Sequence, residues 1–170
     1  MNASSIIKIM VVDDHPVVRF GLVAIFGSQT DMTVVAQAGT GEEAIELFRQ
    51  YQPDVCLMDL RLPVISGVEA IRAIRKDFPN SVFIVLTTFR GDEDIHKAMS
   101  AGAHSYLFKG IPHNELLAAV RKIHSGSKYL PGPVQESLDN RTPGSDLSAR
   151  ELEIVGLIVA CPSQHLPATP

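Results

Sequence analysis

Between residue 6 and about residue 126, short runs rich in β-branched and other apolar residues alternate with longer segments of helical period. An alternation of that kind folds into a parallel sheet, because each crossover returns the chain to the same end of the sheet and lays a helix across one face. The strand candidates are Ile6–Val12, Thr33–Ala38, Val55–Met58, Val82–Leu86 and Tyr106–Phe108. The central runs lack polar alternation, as strands covered on both faces do. Between them Val18, Leu22 and Ile25 share one helical face, as do Ala44, Leu47, Phe48 and Tyr51, then Ile95, Ala98 and Met99, then Leu116, Val120 and Ile123. Pro16 stands where a first helical turn needs no N–H, and Thr40 with Glu43 and Ser66 with Glu69 have capping-box spacing. The expected fold class is α/β, a doubly wound five-stranded parallel sheet.

The length of 170 residues suits one full domain plus a fragment. Hydrophobic residues make up 45% and charged residues 20%, the balance of an ordinary globular chain and not of a disordered or membrane one. With 15 basic and 19 acidic residues the net charge is −4, so the chain as a whole carries no electrostatic footprint for nucleic acid. Cys56 lies in an apolar run and Cys161 near the C-terminus, which makes no disulfide framework and fits a reducing, cytoplasmic location. The run Ile6–Val12 is broken by Lys8 and stopped by Asp13 and Asp14, too short for a signal or a membrane span, and no membrane association is expected.

In an open parallel sheet, ligands bind outside the carboxyl ends of the strands. The residues at or just past those ends are Asp13 and Asp14 after the first strand, Asp59 after the third, Thr87 after the fourth and Lys109 after the fifth. A lone aspartate in such a place is usually a cap or a solvated loop residue. All five converging is a different matter, because a buried acidic trio is costly without a cation.

The segments VVDDHP (11–16), LMDLRLPVISG (57–67), VLTT (85–88) and SYLFK (105–109), in this order and spacing, resemble the receiver domain of two-component response regulators. The resemblance covers residues 6 to about 126. It implies the strand order 2-1-3-4-5, an acidic pair that organises Mg²⁺, a phosphoryl-accepting Asp59, and contacts to the phosphoryl group from Thr87 and Lys109. Phosphoryl transfer needs mainly positioning and charge neutralisation. Mg²⁺ prefers hard oxygen ligands and keeps several waters, so Asp13, Asp14, Asp59 and the backbone carbonyl of Arg61 would leave room for a phosphoryl oxygen. Lys109 supplies a compact ammonium and Thr87 a hydroxyl donor. Thr88 falls one residue beyond, where the family has a small residue. Tyr106, three residues before Lys109, stands where receivers often carry a switch aromatic; the plain alternative is a half-buried strand tyrosine. Arg61 and Phe89 take positions that line the approach to the phosphoryl group. Gly110 follows Lys109 where many receivers have proline, which puts the family's cis peptide in doubt. His15 reads as a surface or packing residue, and His96, His104, His113, His124 and His165 lack metal-ligand spacing.

By the same resemblance the protein is a phosphoacceptor and not an enzyme beyond slow self-catalysed phosphorylation and dephosphorylation, with a sensor histidine kinase as partner and a homodimer through the receiver as a further pairing. A stand-alone receiver working by protein contacts or as a phosphate sink is the alternative. An aspartyl-nucleophile phosphatase would want a second acid two residues after the nucleophile, where this chain has Arg61. A flavin module would want a glycine- and hydroxyl-rich loop after the first strand, where it has Asp13, Asp14, His15 and Pro16.

Residues 127–146 read as a linker, with Pro131, Pro133 and Pro143 limiting regular structure. The segment LSARELEIVGLIVA (147–160) carries a capping box from Ser148 to Glu151 and resembles the first helix of a LuxR-type helix-turn-helix domain of the NarL/FixJ branch. Residues 161–170 hold three prolines and no periodicity, where the family continues with a basic recognition helix. A truncated output domain with a disordered tail is therefore expected, with DNA binding reserved for a full-length form.

Overall fold

A computed structural model describes residues 6–140. Its elements run β1 (Ile7–Val12), α1 (Pro16–Gly27), β2 (Met32–Ala38), α2 (Gly41–Tyr51), β3 (Val55–Met58), α3 (Gly67–Asp77), β4 (Phe83–Thr87), α4 (Asp92–Ala101), β5 (Ser105–Phe108), α5 (His113–His124) and α6 (Gly132–Asp139). The strands pair in parallel in the order β2-β1-β3-β4-β5, the doubly wound arrangement expected. The helix expected over 147–160 and the tail at 161–170 lie outside the described residues.

The two-residue period of the strands divides the core. Met10, Val12, Cys56, Met58, Phe83, Val85 and Tyr106 face one side, where α2, α3 and α4 bring Ala44, Phe48, Ile71, Ile74, Ile95 and Ala98. Ile7, Ile9, Val11, Val55, Leu57, Ile84, Leu86 and Leu107 face the other, covered by Leu22 and Phe26 of α1 and by Leu116, Val120 and Ile123 of α5. Residues of β3 and β4 are buried on both faces, which is why those runs carry no polar alternation.

The helix starts follow their local signals. Pro16 opens α1, and Ser66 and Glu69 form the full reciprocal box at α3. At α2 the box is half made: Thr40 Oγ1 accepts from Glu43 N at 3.2 Å, while the Glu43 carboxylate accepts from Gly39 N at 2.8 Å instead of from Thr40.

The reading of 127–146 as irregular linker needs correction, because α6 forms inside it. Pro131 and Pro133 do not prevent this helix. They lie at its opening turn, where missing N–H groups cost nothing, and the Pro131 carbonyl accepts from Val134 N and Gln135 N at 3.0 Å. Val134 is fully buried and Leu130 and Leu138 pack against the cluster that holds Tyr106 and Ile95. Ser105 Oγ donates to the Tyr129 carbonyl at 2.6 Å, and the His96 ring of α4 meets the Ser137 carbonyl at 3.1 Å, so the segment is hydrogen-bonded to β5 and α4.

Candidate functional site

The site lies at the carboxyl ends of β1, β3, β4 and β5. The ladder carries past the strand ends: Asp13 N donates to Ala38 O at 3.1 Å, Asp59 N to Val12 O at 2.9 Å and Lys109 N to Thr87 O at 2.8 Å. These backbone bonds hold the site residues at fixed heights above the sheet. Asp13 and Asp59 are buried, and Thr87, which closes β4, is fully buried. Thr88 is exposed, which separates the two hydroxyls that sequence left adjacent.

Lys109 joins the carboxylates. Its Nζ is 2.6 Å from Asp59 Oδ2 and 2.7 Å from Asp13 Oδ2. Burial by itself would lower the lysine, but the hydrogen bonds and charges of Asp59 and Asp13 outweigh it and hold the ammonium above the usual lysine range. The other oxygens of the two carboxylates look away from Lys109. Asp13 Oδ1 accepts from His15 N at 2.9 Å, and Asp59 Oδ1 is 3.4 Å from Arg61 N. Asp14 is half-exposed beside them, with its Oδ1 2.7 Å from His15 Nδ1.

Carboxylate oxygens of Asp13, Asp14 and Asp59 and a ring nitrogen of His15 all lie within 4.8 Å of one another. A divalent ion with ligands at about 2.1 Å places trans donors about 4.2 Å apart, so small rotations bring this set onto one centre. Two negative charges remain after Lys109 offsets one of three, and the donor set is dominated by hard oxygens. That chemistry fits Mg²⁺.

Above the site, the loop after β4 is tied to the core. Tyr106 points inward, fully buried, and its hydroxyl donates to the Phe89 carbonyl at 2.9 Å. Burial first, then the Asp94 and Asp59 charges, push the phenol well above its ordinary value, so it stays a donor. The Arg61 guanidinium lies 4.2 Å from the centroid of the Phe89 ring and 3.6 Å from Asp94 Oδ2 of α4. Arg61 and Phe89, expected at the approach, thus touch each other. The peptide after Lys109 is trans, and Gly110 takes φ +97°, a conformation that suits glycine.

All the expected side chains gather here: Asp13, Asp14, Asp59, Thr87 and Lys109, with Tyr106 beneath the neighbouring loop. Sequence reading placed His15 at the surface, and its side chain is 68% exposed, but did not disclose the contact of its Nδ1 with Asp14 Oδ1 at 2.7 Å. The available signal was its place directly after the acidic pair and before Pro16. It also missed Asp94, which reaches Arg61 from another element and has no local signature. Gly67 is a third omission: a Cβ there would sit 2.0 Å from the Asp59 carbonyl oxygen, so the start of α3 presses on the backbone of the phosphoacceptor candidate.

Residues 9–121 match the response regulator receiver domain family. The chain is 34% identical over 163 residues to the response regulator GacA of Pseudomonas aeruginosa, covering 91% of this chain and 76% of that protein. It is 38% identical over 165 residues to the oxygen regulatory protein NreC of Staphylococcus aureus, covering 89% and 76%. Among solved structures it is similar to a LuxR-family two-component response regulator from Aurantimonas, with a TM-score of 0.75 and 34% identity over 79% of this chain and 96% of that one. The receiver domain of a NarL response regulator from Mycobacterium tuberculosis gives a TM-score of 0.69 at 28% identity, over 72% and 98%. The chain belongs to the response regulators of two-component systems, in the company of the NarL and LuxR-type members, and residues 9–121 are its receiver domain.

Proposed function

We propose that this receiver takes a phosphoryl group on Asp59 from the phosphohistidine of a sensor histidine kinase in the cytoplasm, and that the change at its surface controls transcription. The observation that carries the reading is the half-buried ammonium of Lys109 bridging the buried carboxylates of Asp59 and Asp13. A buried pair of carboxylates held by one lysine at the open end of a parallel sheet is costly as mere structure. As a phosphoryl site it is economical, because the same lysine can follow the negative charge onto the incoming group.

In the proposed transfer a carboxylate oxygen of Asp59 attacks phosphorus. A P–O bond forms, the P–N bond of the phosphohistidine breaks, and its electron pair returns to the imidazole nitrogen, which takes up a proton. A Mg²⁺ held by Asp13, Asp14, Asp59 and the Arg61 carbonyl would neutralise charge on the phosphoryl oxygens. Lys109 donates to one phosphoryl oxygen in place of its bond to Asp59. Thr87, now facing Phe89 N at 3.5 Å, turns its hydroxyl to another. That motion bears on the Phe89 carbonyl and so on Tyr106. The chain acts as a phosphoacceptor, with enzymatic turnover limited to its own phosphorylation and dephosphorylation.

Transcriptional output is supported by the LuxR-type likeness of residues 147–160 and by the LuxR-family structural relative. The reading assigns dimerisation to the receiver and DNA binding to a LuxR-type output domain.

Incubation with Mg²⁺ and a small phosphoryl donor, followed by intact mass, tests the reading. A gain of one phosphoryl group that disappears in Asp59→Asn is expected. A gain that persists in that variant assigns the chemistry elsewhere.

A further inference from the structure

His15 departs from what its place in the chain asks for. It is the N-cap of α1, a position that favours Ser, Thr, Asp or Asn because their side chains accept from the first-turn N–H groups, yet its side chain makes no capping bond. Pro16 behind it holds its backbone extended, at φ −87° and ψ 109°, and its own N–H is fixed on Asp13 Oδ1 at 2.9 Å. The ring thus held places Nδ1 2.7 Å from Asp14 Oδ1 and 3.3 Å from Asp13 Oδ1. Lys109 takes the Oδ2 atoms of Asp13 and Asp59 on one side of the cluster. The Oδ1 atom of Asp13, the carboxylate of Asp14 and the imidazole nitrogen gather on the other.

We propose that His15 Nδ1 is a protein ligand to the divalent ion of this site, and that it tilts the site toward late first-row ions such as Co²⁺, Ni²⁺ and Zn²⁺ relative to Mg²⁺. The inference rests on the proposed reading that the acidic cluster holds a divalent ion. Nδ1 stands at hydrogen-bond distance from Asp14 Oδ1, so without the ion it carries the proton that this carboxylate accepts; a bound ion would take that proton's place, with the ring in the tautomer protonated on Nε2 and the Nδ1 lone pair turned to the metal. A carboxylate set alone suits Mg²⁺, Ca²⁺ and Mn²⁺. One imidazole in the set adds little for Mg²⁺ and much for the later ions, whose affinity for nitrogen rises along the Irving–Williams order. The receiver's ion preference is then set by the residue following the acidic pair, as well as by the pair itself.

Calorimetric titration of the full chain with Co²⁺ and with Mg²⁺, in the wild type, His15→Ala and His15→Gln, tests this without any phosphoryl donor. His15→Ala should weaken Co²⁺ about tenfold or more while moving Mg²⁺ by less than about twofold, and His15→Gln should behave like His15→Ala for Co²⁺. With Mn²⁺ bound, pulsed electron paramagnetic resonance should show a directly coordinated ¹⁴N in the wild type and none in His15→Ala. Equal losses for both ions, no loss for either, or a ¹⁴N signal that survives the substitution would overturn the assignment. A wild type that binds neither ion overturns it as well. Failure of the phosphorylation reading is distinguishable: Asp59 would remain unmodified by mass while the Co²⁺ to Mg²⁺ ratio still falls in His15→Ala.

Discussion

Lys109 offers the most direct residue-scale test of how the site is held together. Its ammonium is the counter-charge for two buried carboxylates, so Lys109→Met leaves Asp13 and Asp59 facing each other with no cation between them. Breaking such a buried set by removing one partner costs about 3 kcal/mol. Urea unfolding at neutral pH should show that loss, and saturating Mg²⁺ should recover more stability in the variant than in the wild type, because the ion replaces the missing charge. The pH dependence has a definite sign. The folded-state value of Lys109 is raised above its unfolded one, so its stabilisation is fully present below the unfolded value of about 10.4 and fades as pH rises through the folded value. The gap between wild type and Lys109→Met should therefore be constant through neutrality and shrink in strong alkali. Val64 is a second residue-scale case. It holds φ +70° with a β-branched side chain that is 89% exposed in the loop after β3. A left-handed conformation costs an L-residue about 1–2 kcal/mol, and no contact of an exposed valine repays it. Val64→Gly is expected to raise stability by about 1 kcal/mol in the same urea experiment, and an unchanged midpoint would show the strain to be relieved in some other way.

At the scale of elements, the loop from β3 to α3 fixes Asp59 through close packing as much as through hydrogen bonds. Gly67 N donates to Leu60 O at 2.9 Å, and a Cβ at residue 67 would lie 2.0 Å from the Asp59 carbonyl oxygen. Backbone cannot yield as a flexible side chain does, so Gly67→Ala must move either the opening turn of α3 or Asp59 itself. A loss of about 3 kcal/mol is expected, together with impaired phosphoryl uptake under the conditions that modify the wild type. Gly21, in the middle of α1 with nothing within 4 Å of its added Cβ, is the matched control: Gly21→Ala should gain about 0.5–1 kcal/mol from helix propensity and leave phosphorylation unchanged. Equal effects of the two alanines would refute the steric argument. The same element-scale logic explains what sequence could and could not disclose. The strands, the helix faces and the starts at Pro16 and Ser66 were legible because each depends on residues a few positions apart. So were Asp13, Asp14, Asp59, Thr87 and Lys109, because a parallel sheet forces its strand ends to one side. The Arg61, Phe89 and Asp94 contact was hidden because its partners come from three separate loop and helix positions. The clash at Gly67 was hidden because it is made with backbone, which has no sequence signature.

For the whole molecule, the misread segment is also the informative one. Composition around Pro131 and Pro133 suggested a spacer, yet the burial of Val134 and the packing of Leu130 and Leu138 make α6 part of the core on the side of α2, α3 and α4. Proline punctuates a helix only from its second turn onward, and a count of prolines does not record where in the turn they fall. The seam with α4 is mixed in quality. It has the His96 to Ser137 carbonyl contact, but Ser137 Oγ is, among the described residues, a buried side-chain atom with no hydrogen-bond partner. A seam of that kind holds by apolar burial, and fully burying a valine contributes about 1.5–3 kcal/mol, with the two partly buried leucines adding to it. A chain ended at residue 126, where the strand-and-helix alternation stops, should therefore unfold at lower urea than one ended at residue 140, by about 3 kcal/mol. It should also lose amide protection in α4, whose Ile95 and Ala98 share the cluster with Val134. Ser137→Ala in the longer chain should be neutral or stabilising, because it removes an unpaired hydroxyl without opening the apolar contact. Equal stability of the two chain lengths would mean that α6 rests on the receiver without supporting it. The core would then be complete at α5.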